Sequence, residues 1–374
     1  MSLARDIADL GSSATRLDTV GSNLIINGGM QIAQRSTSST ATGYKTVDRF
    51  SFNASGFDEA AFTQAQSSLA PSGFINSFRV DCTTVESALA SNEYANVAHV
   101  IEAQNLQHIQ NGSSDAKSLT LSFWVKSNKT GTYGICLYKG DNTGRQITAT
   151  YSISSADTWE YQKITLVGDT SGGGIDNNNG AGFYLYFHLA AGSGQTSQDT
   201  TSWTNYADTG FAYGHTVNIF DNTANDWAVT GVQLEVGDTA TDFEHRSYGD
   251  QLQRCLRYFQ RYEFAHGSMQ VAVQSSTTAG YAGFDYSPKR ANPTITMPTT
   301  DDAAAANSIF LLTSSGGLRS NNSAGTAAAD KIGIYRCRLK MTGFAASGAI
   351  GDATWIYYAT NGSADPHIFV DAEL

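Results

Sequence analysis

The chain has 374 residues, with 23 Lys or Arg against 34 Asp or Glu and a formal net charge of −11. Charged residues are 15% of the chain, against about 25% in an average soluble domain. The acidic balance argues against nucleic acid, whose binding rests on Lys and Arg neutralising phosphates. No apolar run approaches the roughly 18 residues that cross a bilayer, which argues against membrane insertion. The opening MSLARDIADLGSS carries acids and no unbroken apolar stretch, so it does not read as a secretory signal, and synthesis in the cytoplasm is expected.

Residues 1–22 open the chain with Leu3, Ile7, Leu10, Ala14 and Leu17, spaced alternately by four and three. That spacing predicts a short helix with a coiled-coil seam. A lone helix of this length is marginal in water. It therefore needs a partner: its own domain, copies of itself, or a docking surface. Leu3, Ile7, Leu10 and Leu17 are the candidate attachment and oligomerisation residues.

From residue 23 to 246 the texture is strand after strand. Leu119, Leu121, Phe123 and Val125 alternate with Thr120, Ser122, Trp124 and Lys126, a period of two with one face buried. Ile147, Ala149, Tyr151 and Ile153 share a second face, and Phe183, Leu185, Phe187 and Leu189 a third, with Tyr184, Tyr186 and His188 outward. Further strands are expected at 24–34, 49–54, 74–82, 97–104, 132–138, 159–167 and 227–236. Polar turn-rich loops such as 168–180 and 192–210 separate them. Many strands without an intervening helical period predict an all-β fold, an antiparallel jelly-roll β-sandwich.

Residues 247–262 read as a connector helix. Ser247 followed by Asp250 resembles a capping box, and Leu252, Cys255, Leu256 and Phe259 fall on one face. Arg254, Arg257 and Arg261 lie opposite and read as a solvated face. Residues 263–374 read as a smaller C-terminal β domain. Met269, Val271 and Val273 alternate there, as do Tyr335, Cys337, Leu339 and Met341. Pro288, Pro293 and Pro298 suit an edge or turns, and 313–329 reads as a loop.

The sequence offers little catalytic chemistry. Four cysteines (Cys82, Cys136, Cys255 and Cys337) lie far apart without a CxxC, and read as small buried apolar residues. Seven histidines are scattered, with no HExxH, no GxSxG and no phosphate-loop motif. Asp176, Asp221 and Asp226 fall in loops and read as turn residues or, at most, a structural calcium site with oxygen ligands. No other cofactor is expected, and the metal ligands of any such site are unknown. The stronger signal is aromatic. Tyr184, Tyr186 and His188 face one side of a strand and Trp124 faces outward from another. Such rings form a stacking platform for sugar, or else they cover a sheet or a subunit contact.

Two stretches carry a family resemblance. RLDTVGSNLIINGGMQIAQRS, followed by YKTVDRF, resembles the opening of bacteriophage tail-fibre and virion proteins, with an N-x-x-x-N-G-x-M-x-x-x-Q-R segment before a D-R-[WF] element. VTGVQLEVGDTATDFEHRSYGDQLQRCLRYFQRY resembles the end of the same module, where a carbohydrate-binding-like jelly roll closes with Gln-Leu-Glu and runs into Phe-Glu-x-Arg. KRANPTITMP through IFVDAEL resembles their C-terminal β domain. The resemblance implies a non-enzymatic virion component, a homotrimer that attaches to tail or head proteins through residues 1–22. Together with the aromatic face, it points to a tail fibre or adhesin that contacts a host-surface glycan. A head fibre, decoration or adaptor protein without a receptor is the alternative. A glycan depolymerase, which needs two carboxylates across a cleft, is the second.

Overall fold

In this computed structural model the described residues are 23–57, 62–86, 88–265, 267–297, 308–312, 318–319, 326–342, 350–359 and 367–374. The seam residues Leu3, Ile7, Leu10, Ala14 and Leu17 lie outside them. The chain forms two compact units, one ending at Leu252 and one running from Gln253 to Glu373.

The first unit contains β1 (Ser38–Ser39), β2 (Phe50–Ser55), β3 (Phe62–Ser67), β4 (Ser77–Cys82), β5 (Tyr94–Glu102) and β6 (Leu119–Ser127). It continues with β7 (Gly131–Lys139), β8 (Arg145–Ile153), β9 (Glu160–Leu166), β10 (Ala181–Ala191), β11 (Thr204–Asn205) and β12 (Asp226–Val236). They build two six-stranded sheets, ordered β1-β3-β4-β12-β6-β9 and β11-β8-β7-β10-β5-β2. Every pairing is antiparallel. The chain crosses repeatedly from one sheet to the other, in the manner of a jelly roll.

The alternation of apolar residues sets the inner faces, and rings fill the space between the sheets. Phe123 of β6 meets Phe187 of β10 at 5.1 Å between ring centroids, and Phe52 of β2 meets Phe62 of β3 at 4.3 Å. Trp227 is fully buried and donates its indole N–H to the Tyr151 hydroxyl at 3.0 Å. This is the partner a buried indole requires.

Residues 24–34 differ from the expected strand, although Ile25, Met30 and Ile32 are buried. The backbone cannot stay extended, because Asn27 and Met30 take left-handed φ of 63° and 56°. Side-chain amides replace the missing ladder. Asn23 Oδ1 accepts from Ile25 N and Leu234 N at 2.9 and 3.1 Å, and its Nδ2 donates to Val232 O at 3.2 Å. Asn27 Oδ1 accepts from Ile32 N at 3.0 Å, and its Nδ2 donates to the carbonyls of Ile32 and Asp48, both at 2.9 Å. Gly28 presses on Val232 O so closely that a Cβ would stand 2.0 Å away.

The loop at 168–180 is also tied down. The Arg145 guanidinium grips the buried Asp169 carboxylate at 2.7 and 2.9 Å, and the buried Lys139 ammonium donates to the carbonyls of Gly172 and Gly173 at 2.6 and 2.8 Å. The four cysteines are buried, and none of them forms a disulfide.

Helix α1 (Tyr248–Leu256) starts as expected, with Ser247 Oγ accepting from Asp250 N at 3.2 Å. It is shorter than 247–262, because β13 (Phe259–Glu263) leaves the helix to pair with β22 (His367–Asp371). Arg261 therefore lies on a strand, paired with Glu263. The remaining strands are β14 (Met269–Ser276), β15 (Ala279–Asp285), β16 (Thr294–Thr296), β17 (Ser308–Leu312), β18 (Leu318–Arg319), β19 (Thr326–Asp330), β20 (Arg336–Thr342) and β21 (Ala353–Ala359). They form a three-stranded sheet, β13-β22-β16, and a seven-stranded sheet, β18-β17-β21-β14-β15-β20-β19. Strands β18 and β19 fall inside the expected 313–329 loop, where pairing with β17 and β20 overrides a Ser-, Gly- and Ala-rich composition.

Phe123 carries much of the ring packing between the sheets. Phe123→Ala is expected to destabilise the first unit by about 3–5 kcal/mol, read as a lower urea midpoint with the same dependence on denaturant.

Candidate functional site: a tyrosine-lined cleft

One sheet of the sandwich carries a contrast in side-chain size on its outer face. Tyr184 and Tyr186 of β10 lie opposite Val100 and Ala98 of β5, and His188 lies opposite Asn96. On the other side Tyr184 faces Tyr138 of β7. Beyond β5, strand β2 adds Ser51 opposite Ala98 and Asn53 opposite Asn96. Large rings on two strands beside small residues on two others leave a trough. Its volume is about 500 Å³, within the roughly 300–1,000 Å³ of small-ligand sites. Tyr44, before β2, Tyr94 of β5, Tyr206 of the segment after β11 with Phe211, and the final residue Leu374 also line it.

The rings are ordered against one another. Tyr184 and Tyr186 are parallel within 4° at 6.0 Å. Tyr138 packs on Tyr184 at 5.5 Å and on Tyr206 at 4.9 Å. Phe211 is the hub, meeting Tyr186 at 5.0 Å, Tyr94 at 5.4 Å and His188 at 4.7 Å, all edge-on.

Among the described residues no acidic or basic side chain lines the cleft. Burial raises the Tyr186 and Tyr206 hydroxyls above the usual tyrosine range, and the Tyr206 hydroxyl donates to Asp208 at 2.6 Å. Both are neutral donors at physiological pH. Asn53 Nδ2 donates to Asn96 Oδ1 at 3.1 Å. Asn96 is fully buried, and among the described residues its Nδ2 has no hydrogen-bond partner. A buried donor left unpaired in this way costs the fold about 1–3 kcal/mol.

Of the expected site residues, the structure brings Tyr184 and Tyr186 together in the cleft and leaves two outside it. His188 shares their face but is buried beneath Phe211. Trp124 lies on the other sheet, where it packs on Tyr161 at 5.3 Å. Period two distinguishes in from out but not which sheet, and that is why Trp124 appeared to join them. Tyr138, Phe211 and Asn96 were missed. The outward Asn96-Ala98-Val100 pattern in β5 was readable, but its position beside β10 needs the strand order. Asp226 opens β12 instead of lying in a loop and pairs with Arg79, and Asp221 pairs with Lys129. Among the described residues no cluster of His, Cys, Asp or Glu is placed to hold a metal.

Beneath the cleft, His188 and His215 lie with ring centroids 6.1 Å apart, and His215 Nδ1 accepts from Gly134 N at 3.0 Å. Burial lowers His188 to about 3, with His215 adding to the effect, and lowers His215 to about 4.

No family model matches the chain, and no curated protein matches it. Among solved structures it is similar to the enzymatically active domain of tailspike protein 4 of bacteriophage CBA120, at 14% identity and a TM-score of 0.31. That match covers 57% of this chain and 21% of that one. It is also similar to the family 11 carbohydrate-binding module of a Clostridium thermocellum cellulosomal cellulase, at 13% identity, TM-score 0.27, 55% of this chain and 96% of the module. A family 61 module solved with β-1,4-galactotriose gives 13% identity, TM-score 0.27, 57% and 98% coverage. At such scores these likenesses carry no weight for function; the architecture stands on the sheets themselves.

The two histidines set a pH dependence. In the unfolded chain they bind protons below about 6.5, whereas in the fold they stay neutral until about 4 and about 3. The unfolded state therefore holds more protons across that window, and stability falls as pH drops from about 6.5 toward 4, by of order 2–3 kcal/mol per histidine. Urea midpoints across pH 4–7 check this. His188→Phe with His215→Gln flattens the slope.

Proposed function

We propose that the chain is a non-catalytic, glycan-binding component of a phage particle that contacts the host surface through the tyrosine cleft. The observation that carries the binding part is the neutral trough itself. Tyr184, Tyr186 and Tyr138 offer ring surface to sugar C–H groups, while the Tyr206 hydroxyl oxygen can accept a hydrogen bond from a sugar hydroxyl. With no charged side chain among the described residues of the cleft and a net charge of −11 on the chain, the reading favours uncharged glycans over acidic ones.

Support for binding without hydrolysis comes from the lining, which holds no carboxylate side chain among the described residues, whereas glycoside hydrolysis uses two. Support for the particle comes from the resemblance of the two sequence stretches to virion proteins. In that setting, residues 1–22 attach the chain to tail or head proteins, and several copies act together. A modest affinity per cleft then suffices, because linked sites gain avidity.

Tyr184→Ala and Tyr186→Ala are expected to weaken glycan binding at least about tenfold each, the loss typical of a central aromatic contact. Trp124→Ala should leave it unchanged. Titration calorimetry against neutral glycans retained from an array checks this. Wild-type binding unaffected by either tyrosine substitution sinks the cleft as the binding site, and release of reducing sugar sinks the non-catalytic reading.

A further inference from the structure

A second, smaller hollow lies against the other sheet of the sandwich, at β12. The strand bulges there: its pairing with β6 slips between Thr230 and Gln233, and Gly231 takes a left-handed φ of 62°. The absent side chain leaves room for Phe74, whose ring lies so close that a Cβ on Gly231 would stand 2.6 Å from it. Phe243 packs edge-on against Phe74 at 4.9 Å, and His245 meets Phe243 at 5.0 Å and Phe74 at 5.4 Å. These three rings wall a pocket of about 220 Å³, with Gln31, Gln251 and the Glu244–Arg246 pair as its polar lining. Gln31 comes from the first of the two family-like stretches and Phe243 to Gln251 from the second, so both stretches meet here.

The chemistry of that lining is neutral. Arg246 gives two N–H groups to the Glu244 carboxylate, at 2.8 and 2.9 Å, and the two charges cancel. Gln251, in the first turn of α1, is only 8% exposed, and among the described residues its Nε2 has no hydrogen-bond partner. Burying an amide without a partner is unfavourable, so packing alone does not account for a glutamine at this wall. A carboxamide both gives and accepts hydrogen bonds, and so does a hydroxyl. Ring faces beside two carboxamides therefore suit a compact ring with C–H faces and hydroxyl edges. The volume is below the roughly 300–1,000 Å³ of drug-sized sites, which leaves room for one such ring and not for a chain. We propose that this pocket is a second saccharide site, which takes a single neutral sugar residue at the end or branch of a glycan. It extends the glycan reading to a new place, yet no residue of the tyrosine cleft lines it. Either site can fail without the other.

The test is saturation-transfer NMR on the full chain with neutral methyl glycosides (glucoside, galactoside, mannoside and N-acetylglucosaminide), and methyl glucuronide as the charged control. At least one neutral glycoside is expected to bind, and to bind the Tyr184→Ala, Tyr186→Ala double variant equally well. His245→Ala and Gln251→Leu are each expected to raise its dissociation constant at least about tenfold. Unchanged melting temperatures verify that the variants fold. Should Gln251→Leu melt early, His245→Ala, whose side chain is exposed, decides alone. A panel that does not bind overturns the proposal, as does binding that the folded pocket variants leave intact. Binding abolished by the tyrosine pair belongs to the cleft, which overturns the pocket while the cleft reading stands. Equal binding of the glucuronide overturns the neutral class.

Discussion

The sandwich depends on satisfying a buried stretch of backbone that is neither strand nor helix. Residues 23–34 lie against the end of β12 with their apolar side chains in the core, so their N–H and C=O groups need partners that no ladder provides. Asn23 and Asn27 supply them, reaching Val232, Leu234, Ile32 and Asp48. The same area draws in the segment after β12. Gln233 Oε1 accepts from Glu244 N at 2.8 Å, Glu244 accepts from Asn23 N at 3.1 Å, and Arg246 holds the Glu244 carboxylate with two bonds. Asp48 and Arg49 extend the network, Arg49 by donating to Val100 O. This links the polar closure directly to β5, the strand that forms the floor of the cleft.

The cleft follows from residue size on adjacent strands. Tyrosines on β10 and β7 stand up, while Ala98 and Ser51 on β5 and β2 stay low. Phe211 packs edge-on against Tyr186 and covers His188. The site is therefore preorganised by its own aromatic packing, so little ordering cost remains for a ligand. Its polar side chains are neutral hydroxyls and amides.

Much of the fold was legible, and the site was legible in part, for reasons that individual residues make plain. Strands β6, β8 and β10 declare themselves by clean alternation of apolar and polar residues. The motif residues Asn23, Asn27, Gly28, Gln233, Glu244 and Arg246 stand out because closure of the sandwich leaves them little freedom; their work is structural, so the most recognisable sequence did not lead to the cleft. Tyr184 and Tyr186 were visible because they share a strand. Tyr138, Asn96 and Phe211 come from three other segments that only strand order and register bring together, and the same strand order places Trp124 on the other sheet. In the second unit, composition pointed to a loop at 313–329, but cross-strand pairing made strands of Leu318–Arg319 and Thr326–Asp330.

The position of β12 has a consequence for synthesis. It lies in the middle of its sheet, between β4 and β6, yet it is the last strand of the sandwich to leave the ribosome. Until it arrives, β1-β3-β4 and β6-β9 are two fragments with nothing to join them. Asn23 must also wait for Val232 and Leu234, 209 and 211 residues later. At about 5–20 residues per second, that interval is roughly 10–40 s. Throughout it, the inner faces around Phe62, Phe78 and Phe123 lack their full cover. The nascent chain thus spends tens of seconds as an open half-sandwich, with shielding by chaperones or neighbouring ribosomes mattering most then, and closes in one late step when the central strand and the first residues of the domain meet.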